Sequence, residues 1–193
     1  GTGDTLASGF GYGDTVVCSA TPFDGVDYGM TMDASISIGN NPPVLASVSL
    51  SPSPAYEGDV LTCSPGATTD PDGTFIFTYS YLWAVNGGVI GETSETLSSA
   101  DFDKNDDVSC SVTPNDGTGD GAAVTSNVVT ISNSLPSVSS VSLSPAGPSV
   151  GDTLTCLYTG WADADGDVDQ STLSWTIDGV VVGTSAPLSG VFS

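Results

Sequence analysis

The feature that most constrains this chain is that it repeats itself. Val48–Pro52 reads VSLSP, and so does Val141–Pro145, 93 residues further on. At the same offset GDVLTC (Gly58–Cys63) meets GDTLTC (Gly151–Cys156), and Trp83 and Trp175 fall in register within one residue. Phe10, Asp14, Val16 and Cys18 match Phe102, Asp106, Val108 and Cys110 with identical internal spacing. A chain built this way consists of copies of one small unit, each with a core of its own. Residues 1–40 read as the back half of a repeat (strands E, F and G), residues 41–133 as a complete repeat, and residues 134–193 as a front half (strands A, B, C and C′). The two halves together make one repeat of about 100 residues, an ordinary domain size.

Alternation and turn signals predict strands and no helix. In the complete repeat these are A (44–51), B (59–64), C (78–85), a C′ region (88–97), F (107–113) and G (122–131). Asn86–Gly88 (NGG) turns C into C′, and the Gly- and Asp-rich run Pro114–Gly121 joins F to G. Asn40–Pro43 and Asn133–Pro136 read as short linkers stiffened by proline.

Cys63, Trp83 and Cys110 fall on B, C and F, the Cys…Trp…Cys order of immunoglobulin domains. The expected fold is therefore all-β: tandem immunoglobulin-like β-sandwich repeats, with one sandwich split between the N- and C-terminal parts of the chain. Strand order favours a Cys63–Cys110 bridge within the repeat, two free buried thiols being the alternative. Trp83, Trp175, Tyr81, Phe102 and Phe10 are the expected core residues. The second repeat has Cys156 and Trp175, and the cysteine in the F position is Cys18, at the other end of the chain. A linear array of such domains holds the two halves about one domain length apart. The expectation is therefore that residues 134–193 are completed by residues 1–40 of the next unit, with Cys156 bridged to Cys18 between units. Such a contact is head-to-tail and does not close on itself, so it generates a filament. Separate subunits and a window of one giant chain are both compatible with this pattern.

The runs DPDG (Asp70–Gly73), YSYLWAVNGG (Tyr79–Gly88), FDKNDDVSCSVTPNDGTGDG (Phe102–Gly121) and VTISNSLP (Val129–Pro136) resemble the tandem immunoglobulin-like repeats of large secreted and surface proteins of bacteria. The resemblance implies an extracellular or cell-surface location and a role as stalk, fibre or adhesin. Cysteines are not a regular feature of those repeats, which marks the bridges here as an added reinforcement.

Charge narrows the function further. Against 23 acidic residues stands one basic residue, Lys104, for a formal charge of −22. Phosphate neutralisation requires Lys and Arg, so nucleic acid is excluded as a partner, and an anionic membrane surface would repel the chain. No run is long and apolar enough for membrane insertion. Four cysteines point to an oxidising compartment. The absence of a leading apolar segment reads as a mature or trimmed product.

The acidic residues gather in loops. The B–C loop of the complete repeat carries Asp70 and Asp72, and the F–G loop Asp116 and Asp120. DADGDVD supplies Asp163, Asp165, Asp167 and Asp169, with Asp24 and Asp27 from the N-terminal half. Converging carboxylates at a domain junction suit Ca2+, which takes six to eight oxygen ligands; the alternative is that Asp and Gly serve turn geometry alone. Phe75 and Phe77 are expected in the B–C loop, where packing on a neighbouring domain is favoured over stacking on a sugar ring. Lys104 is expected to be an exposed turn residue.

No catalytic role is expected: there is no histidine, and the carboxylates lie in Gly-rich turns without an apolar pocket to raise a pKa. The leading expectation is a structural subunit or repeat of an extracellular filament that associates with itself head-to-tail. The alternative is a cell-surface adhesin or glycan-binding repeat whose partners are surface glycans or other cells.

Overall fold

The computed structural model describes residues 3–185, and among them every regular element is a strand. In chain order these are β1 (Thr15–Ala20), β2 (Met32–Ser37), β3 (Val44–Leu45), β4 (Val48–Ser51), β5 (Ala55–Tyr56) and β6 (Leu61–Pro65). There follow β7 (Thr68–Thr69), β8 (Thr78–Val85), β9 (Gly88–Val89), β10 (Thr96–Leu97), β11 (Asp107–Asn115) and β12 (Val124–Thr125). The last are β13 (Val129–Ser132), β14 (Ser140–Ser144), β15 (Thr155–Thr159), β16 (Leu173–Ile177) and β17 (Val180–Ser185). The chain divides into two compact units: Gly1–Ser53 with Leu61–Leu97 and Asp107–Val129, and Pro54–Val60 with Ser98–Asp106 and Thr130–Ser193.

The first unit contains the best-covered core. In β11, Val108, Cys110 and Val112 are buried while the residues between them are partly exposed, the period-two signature of a strand with one face inward. β8 lies antiparallel beside it with Trp83 opposite Cys110, and β9 and β12 extend the pairing on either side. A second sheet, ordered β10-β6-β4, buries Leu97, Leu61, Cys63, Val48 and Leu50. The Cys63–Cys110 disulfide joins the two sheets with a Cα–Cα distance of 6.2 Å. Closing a loop of 47 residues removes about 4 kcal/mol of chain entropy from the unfolded state. Beside it Trp83 is fully buried, and its indole N–H donates to the Ser94 carbonyl at 2.9 Å, so the largest core side chain leaves no buried donor unmade.

Turn chemistry sets the strand ends. β8 passes to β9 through Asn86 and Gly87, both at positive φ, the backbone that a two-residue hairpin requires. The expected G strand is broken into β12 and β13. At Ser126 the side-chain oxygen accepts from the Cys110 N–H at 3.1 Å, and it then donates to the Asn127 carbonyl. A hydroxyl thus takes a ladder position, and the strand stops there. The expected C′ region shortens to β9 and β10, because the Glu92 carboxylate draws the N–H groups of Thr93 and Ser94 into a turn. β1 and β2 form a separate antiparallel hairpin in this unit, with Cys18 opposite Ala34.

In the second unit β13 pairs β5 in parallel through Ile131 and Ala55, both buried. Phe102, also of this unit, is buried. The C-terminal segment contributes two hairpin-like pairs. β14 runs antiparallel to β15 with Leu143 opposite Cys156, and β16 runs antiparallel to β17 with Ile177 opposite Val180. Their covering is incomplete: Cys156, Leu173 and Trp175 are half-buried, and Leu143, Leu157 and Val180 to Val182 are exposed. The expected core therefore divides. Trp83 and Phe102 are inside, Tyr81 and Trp175 are half-buried, and Phe10, expected inside, is 43% exposed because it lies in the irregular segment before β1, which packs in no sheet.

Candidate functional site

Three features lie outside the packed core: an acidic loop with a cation in it, two open strand faces with one thiol each, and an apolar groove.

The acidic loop is built by its first residue. Asp163 Oδ1 accepts from the backbone N–H of Asp165 at 2.9 Å and of Asp167 at 3.3 Å, and Gly166 supplies the positive φ that the tight turn needs. The turn brings ligand oxygens of Asp163, Asp165 and Asp167 within 4.8 Å of one another. Asp165 Oδ2 accepts from the Ser134 N–H at 2.6 Å, while its Oδ1 is buried and accepts no hydrogen bond. Beside the loop is a cavity of about 440 Å³ lined by Asn133, Pro136, Trp161 and Val168 among others.

Lys104 enters this loop. Its Nζ donates to Asp167 Oδ2 at 2.5 Å and to Asn133 Oδ1 at 3.1 Å, with 23% of the side chain exposed. The hydrogen bond to Asp167 holds the Lys104 pKa above its ordinary 10.5, and the charges of Asp167, Asp165 and Asp163 add to this. The expected exposed turn residue is thus an ion-pair partner. The one lysine of the chain sits against three carboxylates, so the loop keeps a net negative charge. Carboxylate oxygens at this spacing could hold a metal ion, and Asp165 Oδ1 is a buried oxygen there that accepts no hydrogen bond.

The other acidic residues singled out in the sequence hold turns. Asp169 accepts from the Tyr158 hydroxyl at 2.7 Å and the Ser171 N–H at 2.9 Å, and its pKa is lowered first by the Ser171 side chain, then by the Tyr158 hydroxyl and the Ser171 N–H. Asp24 Oδ1 accepts from the N–H of Val26 and of Asp27, both at 2.9 Å, and its pKa falls for that reason. Asp116 accepts from the Asn40 side-chain amide at 2.9 Å and from the N–H of Thr118 and Gly119, and the Asn40 bond is the largest cause of its lowered pKa. Asp120 accepts from the Asn115 amide. Asp70 caps the Asp72 N–H at 2.7 Å, and Asp72 in turn accepts from the backbone and side chain of Asn41. Asp27 contributes its N–H to the Asp24 turn.

The thiols differ in setting. Cys18 on β1 is exposed and Cys156 on β15 is half-buried, and both are free. Around them lie the apolar side chains that the chain leaves uncovered: Val17, Met32 and Ile36 on the β1–β2 hairpin, and Leu143, Leu157 and Ile177 on the C-terminal strands. A cavity of about 160 Å³ opens among Leu143, Leu154, Trp175, Ile177 and Val182.

The groove, of about 480 Å³, is lined by Phe75, Ile76, Thr74, Thr78, Asn115 and Asp116. Phe75 is 90% exposed and Ile76 82%. Asn115 and Asp116 are engaged within the chain: Asn115 Oδ1 accepts from the Gly117 N–H, and both Asp116 oxygens are taken as described. None of the three features combines a nucleophile with a base. No helix among the described residues is long and apolar enough to cross a membrane, and the Cys63–Cys110 bridge is compatible with an oxidising, extracellular setting. No protein-family model matches the chain, and no curated protein matches it.

Proposed function

We propose that this chain is a structural repeat of an extracellular filament, in which residues 134–193 combine with residues 1–40 of a neighbouring unit into one immunoglobulin-like sandwich. One observation carries the reading. Cys18, Ala20, Val141 and Leu143 are exposed where their sequence counterparts Cys110, Val112, Val48 and Leu50 are buried. Exposed apolar strand faces of this extent are surfaces that a partner covers. Residues 41–133 are the complete immunoglobulin-like repeat of this reading. Between units, Cys156 and Cys18 form a disulfide, the two thiols giving two electrons and two protons to an external oxidant such as a small-molecule disulfide. Calcium at Asp163, Asp165 and Asp167 would stiffen the segment around Ser134, which already bonds Asp165.

Intact mass with and without reductant, together with negative-stain imaging, tests the reading. Filaments that release a 19.3 kDa species on reduction and denaturation establish separate subunits joined through Cys156 and Cys18. Filaments that yield one very large polypeptide establish the same repeat within a giant chain. A stable monomer without filaments rejects the proposal.

A second reading, an adhesin or glycan-binding repeat, has Phe75 and Ile76 in its favour, exposed side by side in a groove. The prior commitment of Asn115 and Asp116 weighs against a sugar, which needs polar partners as well as an apolar face. Glycan-array binding that Phe75→Ala abolishes would reverse this ranking.

A further inference from the structure

The central repeat contains a template for the seam between units. β11 pairs β8 with Val108 opposite Val85, Cys110 opposite Trp83 and Val112 opposite Tyr81. β1 repeats β11 at a spacing of 92 residues, and β16 repeats β8 at the same spacing. β1 has β2 along one edge and β16 has β17 along one edge; among the described residues neither has a strand along the other. The cavity among Leu143, Leu154 and Trp175 lies at the positions of Leu50, Leu61 and Trp83, which are 4%, 0% and 0% exposed where β11 packs over them. The element missing over that cavity is thus the counterpart of β11.

A second correspondence fixes the end of the seam. The turn after β1 reproduces the turn after β11: Gly29 N–H to the Pro22 carbonyl and Gly121 N–H to the Pro114 carbonyl are both 2.8 Å. Asp24 Oδ1 takes two backbone N–H groups just as Asp116 Oδ1 does. Asp116 uses its second oxygen for the side-chain amide of Asn40. Asn133 is the counterpart of Asn40 in the next linker: Asn41 N–H to Asp72 and Ser134 N–H to Asp165 are both 2.6 Å.

From these two correspondences we infer the register of the contact, which rests on the filament reading: β1 of an incoming copy adds antiparallel to the free edge of β16 in a host copy, with Val16 opposite Ile177, Cys18 opposite Trp175 and Ala20 opposite Leu173, and Asp24 of the incoming copy accepts a hydrogen bond from the side chain of Asn133 in the host. Addition at a strand edge satisfies a row of backbone groups at once, and the apolar face of β1 specifies the register, since a slip of one residue would turn Val16 and Cys18 to the other side.

Cross-linking tests it. Both protein preparations carry Cys18→Ser and Cys156→Ser, leaving the Cys63–Cys110 bridge as the one native disulfide. Val16→Cys in one preparation is mixed with Ile177→Cys or with Leu173→Cys in the other, and oxidised with glutathione disulfide under assembling conditions. Four residues along a strand is about 13 Å, beyond the reach of a disulfide, so the Val16/Ile177 combination should cross-link about tenfold more than Val16/Leu173. Ala20→Cys should show the opposite preference, for Leu173→Cys, which guards against one variant failing to fold. Asn133→Asp, which keeps the oxygen that accepts from Lys104 and removes the amide donor, should weaken association severalfold in sedimentation. Filaments that form with equal or inverted cross-linking preferences overturn the register but leave the filament standing. Monomers without cross-links overturn the register, and monomers of the parent chain, with Cys18 and Cys156 intact, overturn the filament reading with it.

Discussion

At the residue scale, the carboxylates matter through the hydrogen bonds they accept, and this sets their response to pH. Asp116 is held below its ordinary 3.8, first by the Asn40 amide and then by the N–H groups of Gly119 and Thr118. A carboxylate depressed in the folded state stabilises it above the unfolded pKa, and that contribution is lost as pH falls through the folded value. Asn40→Ala should therefore lower the melting temperature at pH 6, and the gap to the parent should close as the medium is acidified well below pH 3.8. Lys104 has the opposite sign. Its raised pKa means that its contribution is complete below 10.5 and disappears as pH rises through the folded value. Lys104→Met should lower the melting temperature more at low salt than at 1 M, where the screening length is about 3 Å. If calcium binds Asp163, Asp165 and Asp167, calorimetric titration will show heat that Asp165→Asn removes, and calcium will then reduce the effect of Lys104→Met. No local pattern in the sequence reveals the role of Lys104, because its partner Asp167 lies 63 residues away. The turn DADGDVD, by contrast, announces its acidic cluster directly.

At the element scale, alternation made the strands legible wherever one face is buried. β11 and β8 keep the spans expected of F and C, F running on by two residues. The legible register extends to the bridge: Cys63 and Cys110, expected on B and F, are bonded across two sheets. Replacing Cys63 with Ala should cost roughly 2–5 kcal/mol in urea unfolding, and Cys110 should then react with a thiol reagent once unfolded. The breaks were not legible. Strand G is interrupted because the Ser126 hydroxyl reaches the Cys110 N–H, and C′ contracts because Glu92 turns the chain. Both are side chains competing for backbone partners, a competition that composition and period do not reveal. Close approach is equally hidden. At Gly121 a Cβ would stand 2.1 Å from the Pro43 carbonyl oxygen, which is why no larger residue fits there.

At the scale of the whole molecule, the exposed apolar faces coexist with a formal charge of −22, and the two have opposing effects on association. Burial of the faces of β1, β15 and β16 favours assembly, while like charge on every copy opposes it. Filament formation should therefore need salt: the fraction sedimenting as polymer should rise between 0.01 M and 0.15 M, as the screening length falls from about 30 Å to about 8 Å. The repeat was legible as pattern because equivalent residues keep equivalent jobs, as Asp24 and Asp116 do in their turns. What lay beyond the sequence was the degree of covering, since Phe10 and Trp175 read like core residues and yet remain partly in solvent.

The two open faces are also unlike each other: one is a β1–β2 hairpin with an exposed thiol, the other a set of strands around a cavity with a half-buried one. In the proposed filament the polymer has direction, because each growing thread would present a plug at one tip and a socket at the other. A synthetic peptide spanning Gly13–Gly39 would stopper sockets and leave plugs untouched. Thread length would then be set by the ratio of peptide to protein, and addition at the opposite tip would continue at its own pace.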